Sequence, residues 1–370
     1  MDCFITDRGA RGNNAAALED VIMQKGKPVT AGSKILENFI SPIDATVVSR
    51  LLENNIDIAG RAAPDEFGII KLSGQGGEHL PAAVKAVSDK LAGFALCNDI
   101  FGTYRRRAAE NGLCYIHPTY GTVSRFGLVP AVSSMDQIGI VCDNIPDGFR
   151  ILSLIAGKDE GDGAMFPEKR FDYTKTGKKI RLGLPFSIID RADEATRKSI
   201  MSFAEKFETE KFEPEYFDIC NRVMYILSCA EISCNIARYD GVKFGFRASG
   251  PADINDLYVR TRSEGFTRET KLTCIMGAMV LSRDKYVPFY EKAMKLRRLI
   301  KGSLRFDEYD LIVLPCATGK DPYENLSLYS IANLAGLPSV SFSHKGGSIQ
   351  LIAGVKNENL LLSAWEAREV

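Results

Sequence analysis

Short apolar runs alternate with helix-like stretches through the first half of the chain, and this alternation most restricts the possible folds. DATVVSRLLENN (44–55) places its apolar residues at helical spacing, with Asp44 positioned to cap the helix. IDIAGRA (56–62) then has the pattern of a strand. LPAAVKAVSDKLAGFAL (80–96) predicts a helix up to about Leu91, which leads into a buried strand. This order indicates an α/β fold.

The rest of the chain completes that architecture. From 193 to 304 the pattern is mainly helical, and the strand patterns that follow are YDLIVLPCA, PSVSFSH and GSIQLIAGV, with the helix LYSIANLAGL among them. No internal repeat or low-complexity linker divides the 370 residues. We therefore expect a single compact α/β domain over 1–370, with a mixed central β-sheet covered by helices on both faces. The stretch 193–304 is expected to form a helical layer within it.

The composition excludes several functional classes. Lys+Arg and Asp+Glu balance at 47 each, so no global basic field predicts direct nucleic-acid binding. The nine cysteines are odd in number and never form C-x-x-C, which argues against a disulfide framework and a zinc site. With three histidines, no metal centre and no cofactor are expected. No apolar run is long enough for a membrane span, so we predict a cytoplasmic protein without membrane attachment.

Four regions of the sequence carry a family resemblance. They are TAGSKILENFISPIDATVV (30–48), HPTYGTVSRFGLVPAVSSMDQIG (117–139), AEISCNIARYDGVKFGFRA (230–248), and YVRTRSEGFTRETK (258–271) with NLAGLPSVS (333–341) behind it. Together they resemble the amidase signature family, and within it the A subunits of glutamine-dependent glutamyl/aspartyl-tRNA amidotransferases. The resemblance covers nearly the whole chain, and it implies the amidase-signature fold. Compared with that family, the chain is expected to lack the N-terminal helices before the first strand.

The resemblance also implies a reaction, amide hydrolysis by a Ser–cis-Ser–Lys triad. In that family the Lys accepts a proton through the bridging Ser, and the second Ser attacks the carbonyl. A glycine-rich turn donates backbone N–H groups to the oxyanion. In the amidotransferases, the ammonia freed from glutamine passes to a B subunit.

The triad positions are all changed in this chain. Glu19 stands where the family has its Lys, and Thr103 stands where it has the nucleophilic Ser. A carboxyl group has an ordinary pKa about six units below that of Lys, and it adds negative charge beside an oxyanion. The oxyanion turn aligns with Ile100, Phe101 and Gly102, and Phe101 replaces a glycine whose conformational freedom the turn uses.

The remaining site positions are changed as well. The cis-Ser position aligns with His79, and no Ser occurs between Gly74 and Lys85. A basic pair that binds substrate in the family aligns with Leu272 and Thr273.

Each candidate residue also has an ordinary interpretation. Glu19 and Asp20 are expected to form a solvated pair at the mouth of a closed or reshaped pocket, in a frame that builds the sheet edge and the core. Thr103 is expected to be a structural turn residue. His79, as an imidazole that titrates near neutral pH, could serve as a new general base, but a surface position in a glycine-rich loop is the more ordinary expectation.

Two other features near the former nucleophile have alternatives. Arg105, Arg106 and Arg107 form a basic run that could bind an anion, or that could form a solvated or ion-paired face. Cys97 could substitute for the nucleophile, although a buried inert thiol is the commoner case in an apolar run.

Three hypotheses follow from the sequence. The first is an amidotransferase A-subunit-like pseudoenzyme, non-hydrolytic, which acts as a scaffold, binding or regulatory subunit. Its expected partners are B-like and C-like subunits or a paralogous A subunit. The alternative is an active amidase or glutamine-hydrolysing subunit with a rebuilt site that uses Thr103, His79 or Glu19. The third is a protein that binds a small molecule or amide in the old pocket without chemistry.

Overall fold

The structure is a computed structural model that describes residues 4, 5, 12, 14–69 and 79–368. Within these residues ten strands form one sheet, and their bounds are Ala15–Glu19 (β1), Asp57–Ala62 (β2), Phe94–Asn98 (β3), Cys114–His117 (β4), Ile138–Cys142 (β5), Arg181–Leu184 (β6), Glu208–Lys211 (β7), Leu311–Pro315 (β8), Ser339–His344 (β9) and Gly347–Ala353 (β10). The order across the sheet is β2-β1-β3-β5-β4-β9-β10-β8-β6-β7. Parallel pairs lie at both ends of the sheet and antiparallel pairs in its middle, so the sheet is mixed, as predicted.

Helices flank the sheet. In chain order they are Thr46–Glu53 (α1), Ala82–Ser88 (α2), Thr103–Glu110 (α3), Ile145–Ile155 (α4), Phe186–Ile189 (α5), Glu194–Ala204 (α6), Phe217–Asn235 (α7), Ile254–Gly265 (α8), Arg268–Val280 (α9), Arg283–Lys285 (α10), Lys292–Gly302 (α11), Pro322–Ala335 (α12) and Glu358–Ala367 (α13). Short 3-10 turns occupy Lys34–Leu36, Glu66–Gly68 and Ile236–Arg238, and a π-helical turn occupies Tyr286–Glu291. No helix in the described part of the chain is long and apolar enough to cross a bilayer.

Alternate residues of β1 pack into two different apolar clusters. Ala16 and Leu18 belong to the larger cluster, whereas Ala15 and Ala17 belong to a smaller, alanine-rich one that also includes residues of α2. Because successive side chains of a strand point to opposite faces, both faces of the sheet are covered here. The predicted α/β fold, with helices on both faces of a mixed sheet, is confirmed.

Several local predictions differ from the structure. Ala45, not Asp44, is the N-cap of α1, and the carboxylate of Asp44 instead accepts the Lys25 N–H at 2.8 Å. The helix predicted up to Leu91 ends at Ser88, and Lys90 then adopts a left-handed conformation. The mainly helical stretch 193–304 also contains β7, an exposed edge strand with charged residues that the apolar pattern could not reveal.

Candidate functional site

A cleft of about 750 Å³ opens beside the C-terminal ends of β2 and β3. Its walls include the turn Ile100–Gly102, Thr103 at the start of α3, and His79. Five of the sequence-predicted site residues therefore meet in one place. Residues 74–78, the part of the glycine-rich loop before His79, lie outside the described residues.

Glu19 lies behind this cleft, at the end of β1, with 1% of its surface exposed. Its two carboxylate oxygens have separate partners, since Oε2 accepts the Asn98 N–H at 2.6 Å and Oε1 accepts the Tyr104 hydroxyl at 2.7 Å. Glu19 is not among the described residues that line the cleft. The expected solvated pair is therefore wrong for Glu19, because the strand that carries it is buried on both faces.

Burial raises the pKa of Glu19 from its ordinary value near 4.5 to about 8. The nearby carboxylates of Asp99 and Asp20 add to this rise, while the hydrogen bonds from Asn98 and Tyr104 oppose it. At neutral pH the group is consequently mostly protonated in the folded protein, and it carries little charge next to the cleft.

Asp20 is also buried, so the solvated-pair expectation is wrong for both residues. Its Oδ1 pairs with Arg61 Nε at 2.7 Å, and its Oδ2 accepts from the backbone N–H and the hydroxyl of Thr30. Arg61 also donates to the carbonyl of Ile22. Asp20 thus links β1 and β2 to the loop that begins at Thr30. Since β2 and β3 flank β1, this strand lies inside the sheet, so the expected position at the sheet edge is wrong, whereas the expected contribution to the core is confirmed.

The turn before α3 is fixed from inside the protein. Asp99 accepts the N–H groups of Tyr104 and Arg105, and it also pairs with Arg105 Nε at 2.9 Å. Gly102 has φ +80°, and a Cβ added there would lie 2.0 Å from Cγ of Tyr329. Only glycine fits this position, because both the backbone conformation and the Tyr329 ring exclude a side chain.

The two residues before Gly102 are apolar and buried. Ile100 and Phe101 belong to the larger core cluster, although atoms of both also reach the wall of the cleft. The side chain of Phe101, which the resemblance aligns with a glycine, is therefore part of the packed core.

The basic run at the start of α3 divides into two parts. The Arg105 guanidinium is completely buried and donates to Asn333 Oδ1 at 2.6 Å as well as to Asp99. Arg106 and Arg107 lie at the cleft and both pair with Glu110. The ion-paired interpretation is confirmed for Arg105, Arg106 and Arg107. The solvated interpretation is wrong for Arg105, whose buried guanidinium connects the turn before α3 to Asn333 in the NLAGL motif.

The other candidates lie away from the cleft. On α9, Leu272 is exposed and Thr273 is buried, and neither is among the described residues lining the cleft. Cys97 is fully buried in β3, where burial and the charges of Glu19 and Asp99 raise the pKa of its thiol well above the usual range. The expected burial of Cys97 is confirmed, and a buried thiol with a raised pKa is a poor nucleophile. Among the described residues no cluster of His, Cys, Asp or Glu could hold a metal ion.

Sequence reasoning missed Tyr104, whose side chain joins Glu19 to α3. Tyr104 follows Thr103 directly in the run TYRRR, and its side chain packs in the alanine-rich cluster. A buried phenol needs a hydrogen-bond partner, so an aromatic residue next to the changed triad position was the available signal.

Comparisons with known proteins agree with this fold. The amidase family model matches residues 16–73 and 82–341. The A subunit of the glutamyl-tRNA(Gln) amidotransferase from Lachnoclostridium phytofermentans is 34% identical over 364 residues, which covers 88% of this chain and 74% of that protein. Its counterpart from Acinetobacter baumannii (strain AB0057) is 34% identical over 418 residues, covering 96% and 83%.

Solved structures of similar proteins have the same fold. The A subunit of the glutamyl-tRNA(Gln) amidotransferase from Thermotoga maritima superposes with a TM-score of 0.78 at 26% identity, covering 99% of this chain and 86% of that one. The peptide amidase of Stenotrophomonas maltophilia superposes with a TM-score of 0.76 at 21% identity, covering 96% and 82%. The second likeness is one of fold alone.

Proposed function

Because this chain belongs to the amidase signature family and has close homology to the A subunits of glutamyl-tRNA(Gln) amidotransferases, we propose that it is an A-subunit-like protein that does not hydrolyse amides. It acts as a scaffold, binding or regulatory subunit. The observation that carries this proposal is the environment of Glu19, whose two carboxylate oxygens are both engaged inside the fold and not in the cleft.

Hydrolysis by the family route needs a base next to the nucleophile. A threonine hydroxyl is a weak nucleophile unless a base within hydrogen-bond reach accepts its proton. Glu19 is mostly protonated at neutral pH because burial raises its pKa to about 8, so it accepts a proton poorly there. Even when ionised, it would place negative charge behind a site where the reaction develops another negative charge.

The turn that would stabilise the oxyanion supports the same conclusion. The Asp99 carboxylate precedes the turn and accepts the N–H groups of Tyr104 and Arg105 that follow it, so the turn is held from inside the protein. Phe101 adds a buried ring where the family has a flexible glycine.

The homologous proteins are, by name, subunits of a larger enzyme. The partners we propose are therefore B-like and C-like subunits, or a paralogous A subunit. A protein that keeps the fold of a subunit can retain its docking surfaces after its chemistry is gone.

The test is release of ammonia from glutamine, asparagine and a panel of simple amides. The protein is assayed alone and with added B and C subunits, beside Thr103→Ala, and the Acinetobacter baumannii homologue serves as the positive control. We expect no turnover above that of Thr103→Ala. Turnover that depends on Thr103 would refute the proposal.

A rebuilt hydrolytic site is the second candidate, favoured by one observation: Thr103 and His79 line the same cleft. That alternative requires Thr103→Ala and His79→Ala each to abolish turnover while the thermal unfolding of both variants stays close to that of the parent.

A further inference from the structure

Residues 283–301, the basic segment, hold a strong local charge in a chain that is neutral overall. The segment contains seven Lys or Arg residues and two Asp or Glu residues, whereas the whole chain has 47 of each class. It comprises α10, the π-helical turn and most of α11.

Most of these cations face solvent without a partner. In the described part of the chain, five exposed side chains of the segment form no ion pair, namely Arg283, Lys285, Lys292, Arg298 and Lys301. Lys295 pairs with Glu291, the neighbouring acid within the segment. The segment consequently presents an excess of uncompensated positive charge.

The segment is also unusually apolar for an exposed surface. Val287 is 61% exposed and Leu299 is 49% exposed, and the other large exposed apolar side chains are Tyr286, Phe289 and Met294. Tyr286, Val287 and Phe289 lie in the π-helical turn, a rare conformation that is frequent at functional sites. Exposed apolar side chains gathered in one segment mark an interaction surface more often than scattered ones do.

The basic segment is anchored to the rest of the fold through Arg297. Arg297 points inward and donates to the carbonyl of Leu334 at 2.7 Å and to the hydroxyl of Ser134 at 2.8 Å. These bonds join α11 to α12 and to the loop before β5. The exposed face of α11 is therefore presented by an anchored helix.

Cations and apolar groups alternate on that face. With about 3.6 residues per turn, the order around the solvent side of α11 is Lys301, Met294, Arg298, Lys295, Leu299 and Lys292. A helix that inserts into a bilayer separates its apolar face from its charged face, which is not the case here. Phosphates would neutralise the cations but would leave Val287, Met294 and Leu299 in water. A surface that carries acidic and apolar side chains together would both pair with the cations of the basic segment and cover its apolar side chains.

We propose that the basic segment is a docking surface for an acidic amphipathic segment of another protein, in which Asp or Glu side chains alternate with large apolar ones. Carboxylates of the partner pair with Lys292, Arg298 and Lys301. Its apolar side chains cover Val287 and Leu299. This inference does not depend on whether the cleft is catalytic.

The test measures binding of a fluorescent amphipathic helical peptide of about 18 residues that carries Glu and Leu on one face. A matched peptide has Gln in place of every Glu. Two double variants of the protein are compared with the parent, Lys292→Glu/Arg298→Glu and Val287→Ser/Leu299→Ser. Arg197→Glu serves as the control, because Arg197 is an exposed cation on α6 that forms no ion pair with another described residue.

We expect the Glu peptide to bind the parent and Arg197→Glu alike, and each double variant about tenfold or more weakly. Binding should also weaken as salt rises from about 50 to 500 mM, because screening reduces charge pairing at a surface. Circular dichroism verifies that each variant is folded. If the charge-reversal variant fails to fold, the Ser variant and the salt series decide.

Three results would overturn the proposal: no binding of the Glu peptide to the parent, equal binding by parent and double variants, or equal binding of the Gln peptide. Mixed tRNA and phosphatidylserine vesicles are measured in parallel. If either binds in place of the peptide, and the charge reversal abolishes that binding, the surface recognises phosphates and the assignment to a protein partner is wrong. Amide turnover in the ammonia assay would refute the proposed function without changing this result.

Discussion

The hydroxyl of Tyr104 donates a hydrogen bond to Oε1 of Glu19 at 2.7 Å, and both side chains are buried. This contact joins the end of β1 to the first turn of α3. The second oxygen of Glu19 holds the Asn98 N–H at the end of β3. Glu19 is thus a structural connection between three elements, β1, β3 and α3.

Stability should therefore decrease as the pH rises. The folded-state pKa of Glu19 is about 8, against an ordinary value near 4.5, so between these values the folded protein keeps a proton that the unfolded chain releases. Each pH unit in this window is expected to lower the free energy of unfolding by on the order of 1.4 kcal/mol. Below the window the group is protonated in both states, and above it the group is ionised in both, so its contribution is constant.

Denaturant unfolding from pH 5 to 8 measures this effect, with Glu19→Gln as the comparison. The glutamine stays neutral at every pH, so the difference in slope between parent and variant isolates Glu19. Identical slopes would mean that the carboxyl is ionised in the folded protein at neutral pH.

Restoring lysine alone should not restore hydrolysis. The ammonium group of Glu19→Lys can only donate hydrogen bonds, whereas the Asn98 N–H needs an acceptor. We therefore expect the free energy of unfolding to fall by about 2 kcal/mol or more. Thr103, Phe101 and His79 would still stand at the positions predicted to correspond to the family's other site residues. The measurements are thermal unfolding and ammonia release, with Glu19→Gln as the neutral control. Turnover in Glu19→Lys would show that the rest of the site is competent.

Gly102→Ala should unfold far more easily than Gly112→Ala. Both glycines have positive φ, +80° and +73°, but an added Cβ meets the Tyr329 ring only at Gly102, while nothing lies within 4 Å at Gly112. The backbone strain alone costs about 1 kcal/mol, whereas strain with the clash costs about 3 kcal/mol or more. Urea denaturation of the two variants gives the comparison, and equal midpoints would show that the turn can move away from Tyr329.

Asp99→Ala should be among the most damaging single changes near the cleft. It leaves the Arg105 guanidinium without its carboxylate at a site where neither side chain reaches solvent, which costs about 3–5 kcal/mol. Glu110→Ala is the matched control, because it removes the partner of Arg106 and Arg107 at the surface and costs below about 1 kcal/mol. Chemical denaturation of both variants measures the difference. Similar losses in the two would indicate that water reaches Arg105 in Asp99→Ala.

The sequence by itself determined the fold class and the family. Apolar runs such as FALCND and YDLIVLPCA form strands whose apolar side chains are buried. DATVVSRLLENN forms α1, because its apolar residues recur at helical spacing along one side. From the family resemblance, the sequence also predicted that Glu19 and Thr103 stand at changed triad positions.

Only the tertiary structure decided what surrounds those positions. Glu19 and Asp20 look like a solvated acidic pair in the chain, yet they are buried because β2 and β3 flank β1 and bring Asn98 and Arg61 to them. Asn333 is more than two hundred residues from Arg105 and still accepts its hydrogen bond, as separate parts of the chain converge at the turn before α3. The burial that sets the pKa of Glu19 is a property of this packing, and no local pattern of residues contains it.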